Sequence, residues 1–409
     1  MKEFFKVASL KQVLEYVSDF PRVETETVGL DQAAQRILAE DILSDVDLPD
    51  FQRSTMDGYA VRAASTFGAS EGNPAYLTVK GTVAMGAPPG FSIEPGQAAR
   101  ISTGGMLPDG TDSVVMIEHT ETIDDTTIEV YRSVAPGQNV LEKGEDYPKG
   151  AIILACGRKL RPQETGLLAA FGIETVQVYR KPVIAIVSTG DEVVPVNQTP
   201  GPGQIRDMNT YTLSTLVQKT GGKAIRFGIV RDNFDDLYKT CSTALEQADM
   251  VLISGGSSVG TRDYTVEILA ALPDSEILVH GISISPGKPT ILATSRQRAI
   301  WGLPGHVVSA MIVFEVVVRP FIEHIGGLAP KHKKIFKLPA MLSRNLSSAQ
   351  GRIDFARVRL VEKEGALWAE PILGKSGLIN TMVKADGLIE IGINSEGLEK
   401  GAKVDVLLI

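Results

Sequence analysis

Between residues 181 and 326 the chain alternates short apolar runs with stretches of helical spacing, a rhythm that restricts this region to a mostly parallel sheet with crossover helices. The candidate buried strands are Val183 to Val187, Ala224 to Val230, Met250 to Ile253, Ile277 to Val279 and Thr290 to Ala293. Helices fit Thr210 to Lys219, Phe234 to Gln247, Thr265 to Leu272 and Val308 to Ile325. Parallel strands are covered on both faces, so a three-layer α/β core is expected here.

The flanking regions have other textures. Helical apolar spacing over residues 9 to 43 (Leu10, Val13, Leu14, Val17, then Ala33, Ala34, Ile37, Leu38) predicts helices broken at Pro21 and Gly29. From Asp45 to Leu141 short β-prone runs, such as Tyr76 to Val79, Ala99 to Ser102 and Ser113 to Ile117, predict a β-rich domain. A strand, a helix over Pro162 to Ala170 and a strand over Thr175 to Tyr179 follow. Beyond Lys331 to Lys337 lie about 70 residues of β texture, including Phe355 to Leu360, Leu367 to Ile372 and Val404 to Ile409.

A length of 409 residues implies several cores, and 43% hydrophobic with 22% charged residues predicts that the chain folds throughout. A net charge of −8 argues against a nucleic-acid binder, so an anionic substrate would be caught by local donors. No apolar run approaches the roughly 18 residues that span a bilayer, and neither an anchor nor export is expected. Cys156 and Cys241 have no partner at metal or redox spacing, which fits reduced thiols in a cytoplasmic protein.

Ligands of open α/β sheets bind beyond the C-terminal strand ends, so the loops after the first three strands matter most. They read Ser188-Thr189-Gly190-Asp191-Glu192, Arg231-Asp232-Asn233, and Ser254-Gly255-Gly256-Ser257-Ser258-Val259-Gly260-Thr261-Arg262-Asp263. Glycine and serine here are either plain turns or a cradle of N–H donors for phosphate. The acids are either helix caps or hard-oxygen ligands for Mg²⁺ bridging phosphate oxygens. Together they favour a metal-phosphate site. Lys288, in Ile284-Ser285-Pro286-Gly287-Lys288-Pro289, suits an oxyanion or is a solvated lysine. His306, after Pro304 and Gly305, reads as a cap or surface side chain, not a metal ligand. Residues alone thus reach a Mg²⁺-dependent enzyme acting on a nucleotide-like phosphate.

The ordered set of motifs resembles the molybdopterin molybdotransferase family, which includes the C-terminal region of gephyrin. The matching blocks are Ser54 to Ala60, Ile101 to Glu118, Gly144 to Asp146, Ser188 to Glu192, Ser254 to Asp263, Pro286 to Pro289, Gly302 to Ala310 and Ala385 to Ile389. The resemblance implies four domains: helical, residues 1–45 with 144–179; β-rich inserted, 46–143; α/β and molybdopterin-binding, 180–329; and C-terminal β-barrel-like, 330–409. It implies a homodimer whose active site borrows from both subunits, with adenylylated molybdopterin and molybdate as substrates, Mg²⁺ as cofactor and AMP as product. Contacts with the molybdopterin adenylyltransferase and recipient apoenzymes are further implied partners, with no membrane and no nucleic acid.

On the same basis Glu192, Asp232 and Asp263 serve the metal, and Asp57, Thr103, Asp146 and Lys288 the chemistry. Ser188, Thr189, Gly190, Gly255, Gly256, Ser257, Ser258, Gly260, Pro304, Gly305, Arg352 and Ser376 hold the ligand. Two positions depart from the commonest family pattern. Ser285 stands where many relatives carry a basic residue, and Val307 where many carry proline; one positive charge near the proposed oxyanion site is missing, which bears on molybdate affinity or on the choice between molybdate and tungstate. The rival readings are a scaffolding paralogue without turnover, a tungstate-preferring paralogue and the adenylyltransferase that makes the substrate. Retained acids argue against the first, and β domains at both ends against the last.

Overall fold

The computed structural model describes residues 7–255 and 264–409. The chain forms two compact units, one of residues 1–40, 156–162 and 175–409, the other of residues 41–155 and 163–174.

The first unit is built on a six-stranded sheet: β1 (Val183–Thr189), β2 (Lys223–Val230), β3 (Met250–Ser254), β4 (Ser275–His280), β5 (Ile291–Ser295) and β6 (Arg298–Leu303). They lie in the order β2-β1-β3-β6-β5-β4, with β2, β1, β3 and β6 parallel and β5 antiparallel to both its neighbours. Strand β6 is absent from the sequence reading. A two-residue turn at Arg296 (φ 49°) and Gln297 (φ 60°) makes the β5–β6 hairpin, and neither residue is the glycine or asparagine that advertises such a turn.

Side-chain alternation along β1 builds the layers. Ile184 and Ile186 join one core with Leu213 and Val217 of α1 (Asn209–Thr220), while Ala185 and Val187 join the other with Leu237 and Cys241 of α2 (Phe234–Gln247). Helix α3 (Tyr264–Ala271) packs Ile268 and Leu269 into that second core. The expected helix Val308 to Ile325 is interrupted: α-helical Val307–Val313 passes through a π turn, Phe314–Val318, before Arg319–Ile325. Pro320 has no N–H to donate to the preceding turn, which accounts for the break in the regular ladder. Trp301 of β6 is fully buried and meets Phe321 edge-on at 5.0 Å.

The N-terminal expectation holds for one helix only. Leu10–Glu15 starts at a capping box formed by Ser9 and Gln12. The helix expected around Ala33 to Leu38 is not there. Leu30–Gln32 is a 3₁₀ turn, Gln35 has φ 67°, and Ile37–Leu38 pairs antiparallel with Val178–Tyr179. A partner strand distant in sequence overrides the local helical spacing.

The C-terminal strands Lys337–Leu342, Ile353–Lys363, Ala366–Pro371, Gly387–Ile391 and Lys403–Leu408 close into a five-stranded barrel. Its interior holds Leu342, Val358, Ala369, Ile389 and Val406. In the second unit, a six-stranded sheet packs Tyr59, Val61, Ala98, Val115 and Ile128 into its own core.

Candidate active site

Parallel pairing aligns the strand ends, because Ser188 stands opposite Ser254, and Ser254 opposite Leu303. The chain leaves β1 towards β2 on one side and reaches β3 on the other, so the ends of β1 and β3 flank a topological switch point. A cavity of about 750 Å³ opens there. Its wall brings together Ser188, Thr189, Glu192, Gly255, Lys288, Pro304, Gly305, His306, Arg352 and Ser376 from the predicted set.

The backbone at this end is shaped for close approach. Gly255 has φ +116°, and a Cβ there would fall 2.1 Å from the Thr189 carbonyl oxygen. Gly287, before Lys288, has φ +119°, and its Cβ would lie 2.4 Å from Val313 Cγ2. Neither turn admits another residue without a shift. They hold the β1–β3 crossing and the Lys288 turn against the core.

The Thr189 hydroxyl donates to Asp232 Oδ1, and the Asp232 N–H donates to Asp191 Oδ1 at 3.3 Å, which ties the loops after β1 and β2 together. Asp232 is not among the residues that line the cavity, whereas Glu192 is exposed and lines it. Among the described residues no three His, Cys, Asp or Glu side chains gather closely enough to hold a metal. Glu192 and Asp232 do offer the hard oxygens that Mg²⁺ takes. Gly256, Ser257, Ser258, Gly260 and Asp263 lie outside the described residues.

His306 takes the N-cap position of the Val307–Val313 helix but makes no cap hydrogen bond with its side chain. Its Nδ1 instead lies 2.8 Å from Ser376 Oγ, and both residues line the cavity. Arg352 pairs with Asp354 at 3.0 Å. Burial raises the Asp354 pKa, but hydrogen bonds from Ser348 and Ser285 and the Arg352 charge outweigh it and hold the carboxyl below the usual range. Ser285 therefore lies on the cavity wall beside the Lys288 turn with its hydroxyl on Asp354. Val307, the other departure, is 2% exposed and packs in the core.

Asp207 and Asn209 escaped the sequence reading. Asp207 Oδ1 accepts the Thr210 N–H at 3.0 Å, fastening the start of α1. Asn209 Nδ2 donates to Ser254 Oγ at 2.6 Å and to the Gly305 carbonyl at 2.8 Å, bracing two loops of the cavity floor. The signal was an Asp-x-Asn pair at the start of a helix, which reads only as capping when the fold is unknown. In the second unit, Asp57 Oδ1 accepts the Thr103 N–H at 2.7 Å and its hydroxyl at 3.2 Å. The Asp146 N–H donates to the Leu48 carbonyl there.

Fold and site define a multidomain α/β protein of the kind that takes its ligand in the crevice beyond the strand ends. Three family models match the chain: the MoeA N-terminal region (domain I and II) over residues 8–172, a "Probable molybdopterin binding domain" over 185–324, and the MoeA C-terminal region (domain IV) over 339–409. A molybdopterin molybdenumtransferase of Haemophilus influenzae is 35% identical, over 95% of this chain and 94% of its own. The protein of the same name from Bacillus subtilis is 33% identical over 94% and 90%. A crystal structure of a molybdopterin biosynthesis MoeA protein from Pyrococcus horikoshii superposes with a TM-score of 0.86 at 31% identity, covering 99% of this chain and 100% of that one. The chain belongs to the molybdopterin molybdenumtransferase family. No helix among the described residues is long and apolar enough to cross a membrane.

Proposed function

We propose that this chain is a Mg²⁺-dependent molybdopterin molybdotransferase, a cytoplasmic homodimer that takes adenylylated molybdopterin and molybdate and releases AMP. The observation that supports it best is the convergence on one cavity of an exposed carboxylate, Glu192, with Lys288, Arg352 and the His306–Ser376 pair, at the switch point of a parallel sheet. Such a set offers cations for an oxyanion and hard oxygens for a metal within one enclosure.

In this reading Glu192 and Asp232, with Asp263, would hold Mg²⁺, which would offset negative charge on the phosphate oxygens. Lys288 and Arg352 draw molybdate to the wall by charge, and the Gly255 turn lets backbone approach the phosphates. Attack by water on an anhydride phosphorus breaks the P–O bond, so that AMP leaves and the other phosphate stays on molybdopterin; molybdenum joins the dithiolene as one molybdate oxygen departs as water with the two thiol protons. Asp57, Thr103 and Asp146 are assigned to the same chemistry by the family motifs they occupy, as are the glycine and serine positions of the loop after β3 to phosphate binding.

The test is AMP release from adenylylated molybdopterin, with molybdate and tungstate compared side by side. Molybdate-dependent release supports the proposal. Binding of the pterin without release supports a scaffolding paralogue, and faster release with tungstate supports a tungstate-preferring one.

A further inference from the structure

The same unit carries a second hollow that the proposed reaction does not use. It occupies about 560 Å³ and is lined by residues around Arg36, by Arg158 to Arg161, by Arg180 and Lys181, by the C-terminal end of α1, by the Arg319–Ile325 helix and by the Lys331 to Phe336 tract. Eleven lysine and arginine side chains face it and only two carboxylates, Glu315 and Glu323. Counting also Glu24, Glu26 and Asp249, which pair with Arg180 and Arg36 from outside the lining, eleven cations stand against five carboxylates in a chain whose net charge is −8.

Internal pairing accounts for only part of it. Both glutamates are already engaged, since Arg319 bridges Glu315 at 3.1 Å and Glu323 at 2.8 Å, and Lys333 meets Glu323 at 2.7 Å. Arg180 is held by Asp249 and Glu24, and Arg36 by Glu26. Lys159, Lys181, Lys219, Lys331 and Lys334 have no ion-pair partner among the described residues.

The hollow is more than a set of solvated lysines. The Arg36 side chain is only 10% exposed, and that of Arg180 is 30% exposed, so both guanidinium groups are fixed in the wall rather than extended into water. His332 Nε2 is shielded from solvent with no hydrogen-bond partner among the described residues, an orphaned polar atom at the rim. Burial, then the charges of Lys331 and Arg158, push its pKa down, as an imidazole surrounded by cations requires. Phe336, 71% exposed, offers a flat apolar face beside the cations.

We infer that this hollow is a second ligand site, for a small polyphosphate anion, separate from the cavity at the strand ends. Like charges held this close repel one another, and an anion with several adjacent charges relieves more of them at once than a monophosphate does. The volume suits a molecule of metabolite size. The chemistry is shared by inorganic polyphosphate and by the phosphate tail of a nucleoside triphosphate; Phe336 is placed to stack on a base in the second case.

The experiment is calorimetric titration of the full-length protein with inorganic tripolyphosphate, ATP and orthophosphate, at low ionic strength and without Mg²⁺. The proteins are wild type, Lys159→Gln/Lys334→Gln and Lys288→Gln. Expected are saturable binding of one tripolyphosphate per chain, much weaker orthophosphate binding, and a loss of about tenfold or more in the double variant. The Lys288→Gln protein should bind tripolyphosphate within about twofold of wild type, and AMP release by the double variant should be unchanged. Tighter binding of ATP than of tripolyphosphate, lost in Phe336→Ala, assigns the nucleotide as the source; equal binding assigns the phosphate chain alone. Both variants replace exposed or half-exposed side chains, and matched thermal melts separate lost binding from lost folding. The inference is overturned if tripolyphosphate fails to saturate, if only Lys288→Gln weakens it, or if only long polyanions such as heparin or RNA bind.

Discussion

Replacing Asn209 with alanine should damage the cavity floor and the fold together. The amide is 8% exposed, and its Nδ2 donates at 2.6 Å to Ser254 Oγ and at 2.8 Å to the Gly305 carbonyl. A typical hydrogen bond contributes about 1 kcal/mol net, and stranding a buried partner costs about 1–3 kcal/mol. The Ser254 hydroxyl can rotate and Gly305 is exposed enough for water, so the lower end applies and the expected loss is about 2 kcal/mol. For a unit of this size that lowers the melting temperature by about 3–4 °C. The larger effect is expected in turnover. Gly305 neighbours His306, and displacement of about 1 Å in a positioning group can cost a hundredfold in rate, so kcat/KM for AMP release should fall by about 10- to 100-fold. Asn209→Asp should be worse, since it sets a buried negative charge against the Gly305 carbonyl oxygen. The assay pairs thermal melts with AMP release. A protein with the lowered melting temperature and undiminished kcat/KM would show that the Asn209 brace is structural only, and unchanged values of both would refute the reasoning outright.

Three further outcomes are expected. Ser285→Lys should lower the apparent molybdate constant several-fold at low salt, because two charges at ~4 Å interact by about 1 kcal/mol or more; the Asp354 carboxylate beside it and added salt both shrink the gain. An unchanged constant at low salt would mean that residue 285 does not act on the oxyanion. Asp249→Ala removes a carboxylate that receives Arg180 at 2.6 and 2.7 Å and the Val183 N–H at 2.7 Å, and should destabilise by about 2–3 kcal/mol by leaving the Arg180 guanidinium with exposed Glu24 alone and the Val183 N–H without its acceptor; denaturant unfolding with a shift under 1 kcal/mol would contradict this. Burial first, then the Arg22 charge, hold His324 below its ordinary pKa against the opposing effect of its hydrogen bond to the Phe20 carbonyl. The unfolded chain therefore binds the extra proton, and stability should fall as pH drops through about 6.5. His324→Gln should flatten that slope in melts between about pH 5 and 8, and an equal slope in both proteins would assign the acid sensitivity elsewhere.

Legibility from sequence followed the range of the interactions. The strands β1 and β3 were readable because burial on both faces leaves them almost continuously apolar, the edge strand β2 through its β-branched and aromatic residues, and the loops after them because glycine, serine and acid cluster there. The hairpin strand β6 was not, since its turn residues Arg296 and Gln297 carry no turn signature. Nor was the Ile37–Leu38 strand, whose identity depends on a partner at Val178–Tyr179. The cavity gathers residues from positions 188 to 376, and its roll could be assembled beforehand only through family motifs. Asn209 and the second hollow fell outside those motifs: the first looks like a cap, and the second is made of arginines and lysines that are unremarkable until the fold brings them to one place.

The most direct test of the proposed chemistry is the single-turnover rate of AMP release by Glu192→Gln under saturating molybdate, at a Mg²⁺ concentration that just saturates wild type. Glu192 is exposed on the cavity wall, so the change removes a charged oxygen with little expected effect on stability. The account predicts a rate at least about a hundredfold below wild type, with an unaltered melting temperature and partial recovery at raised Mg²⁺. A rate near that of wild type would contradict the assignment of this cavity as the place where the anhydride is cleaved.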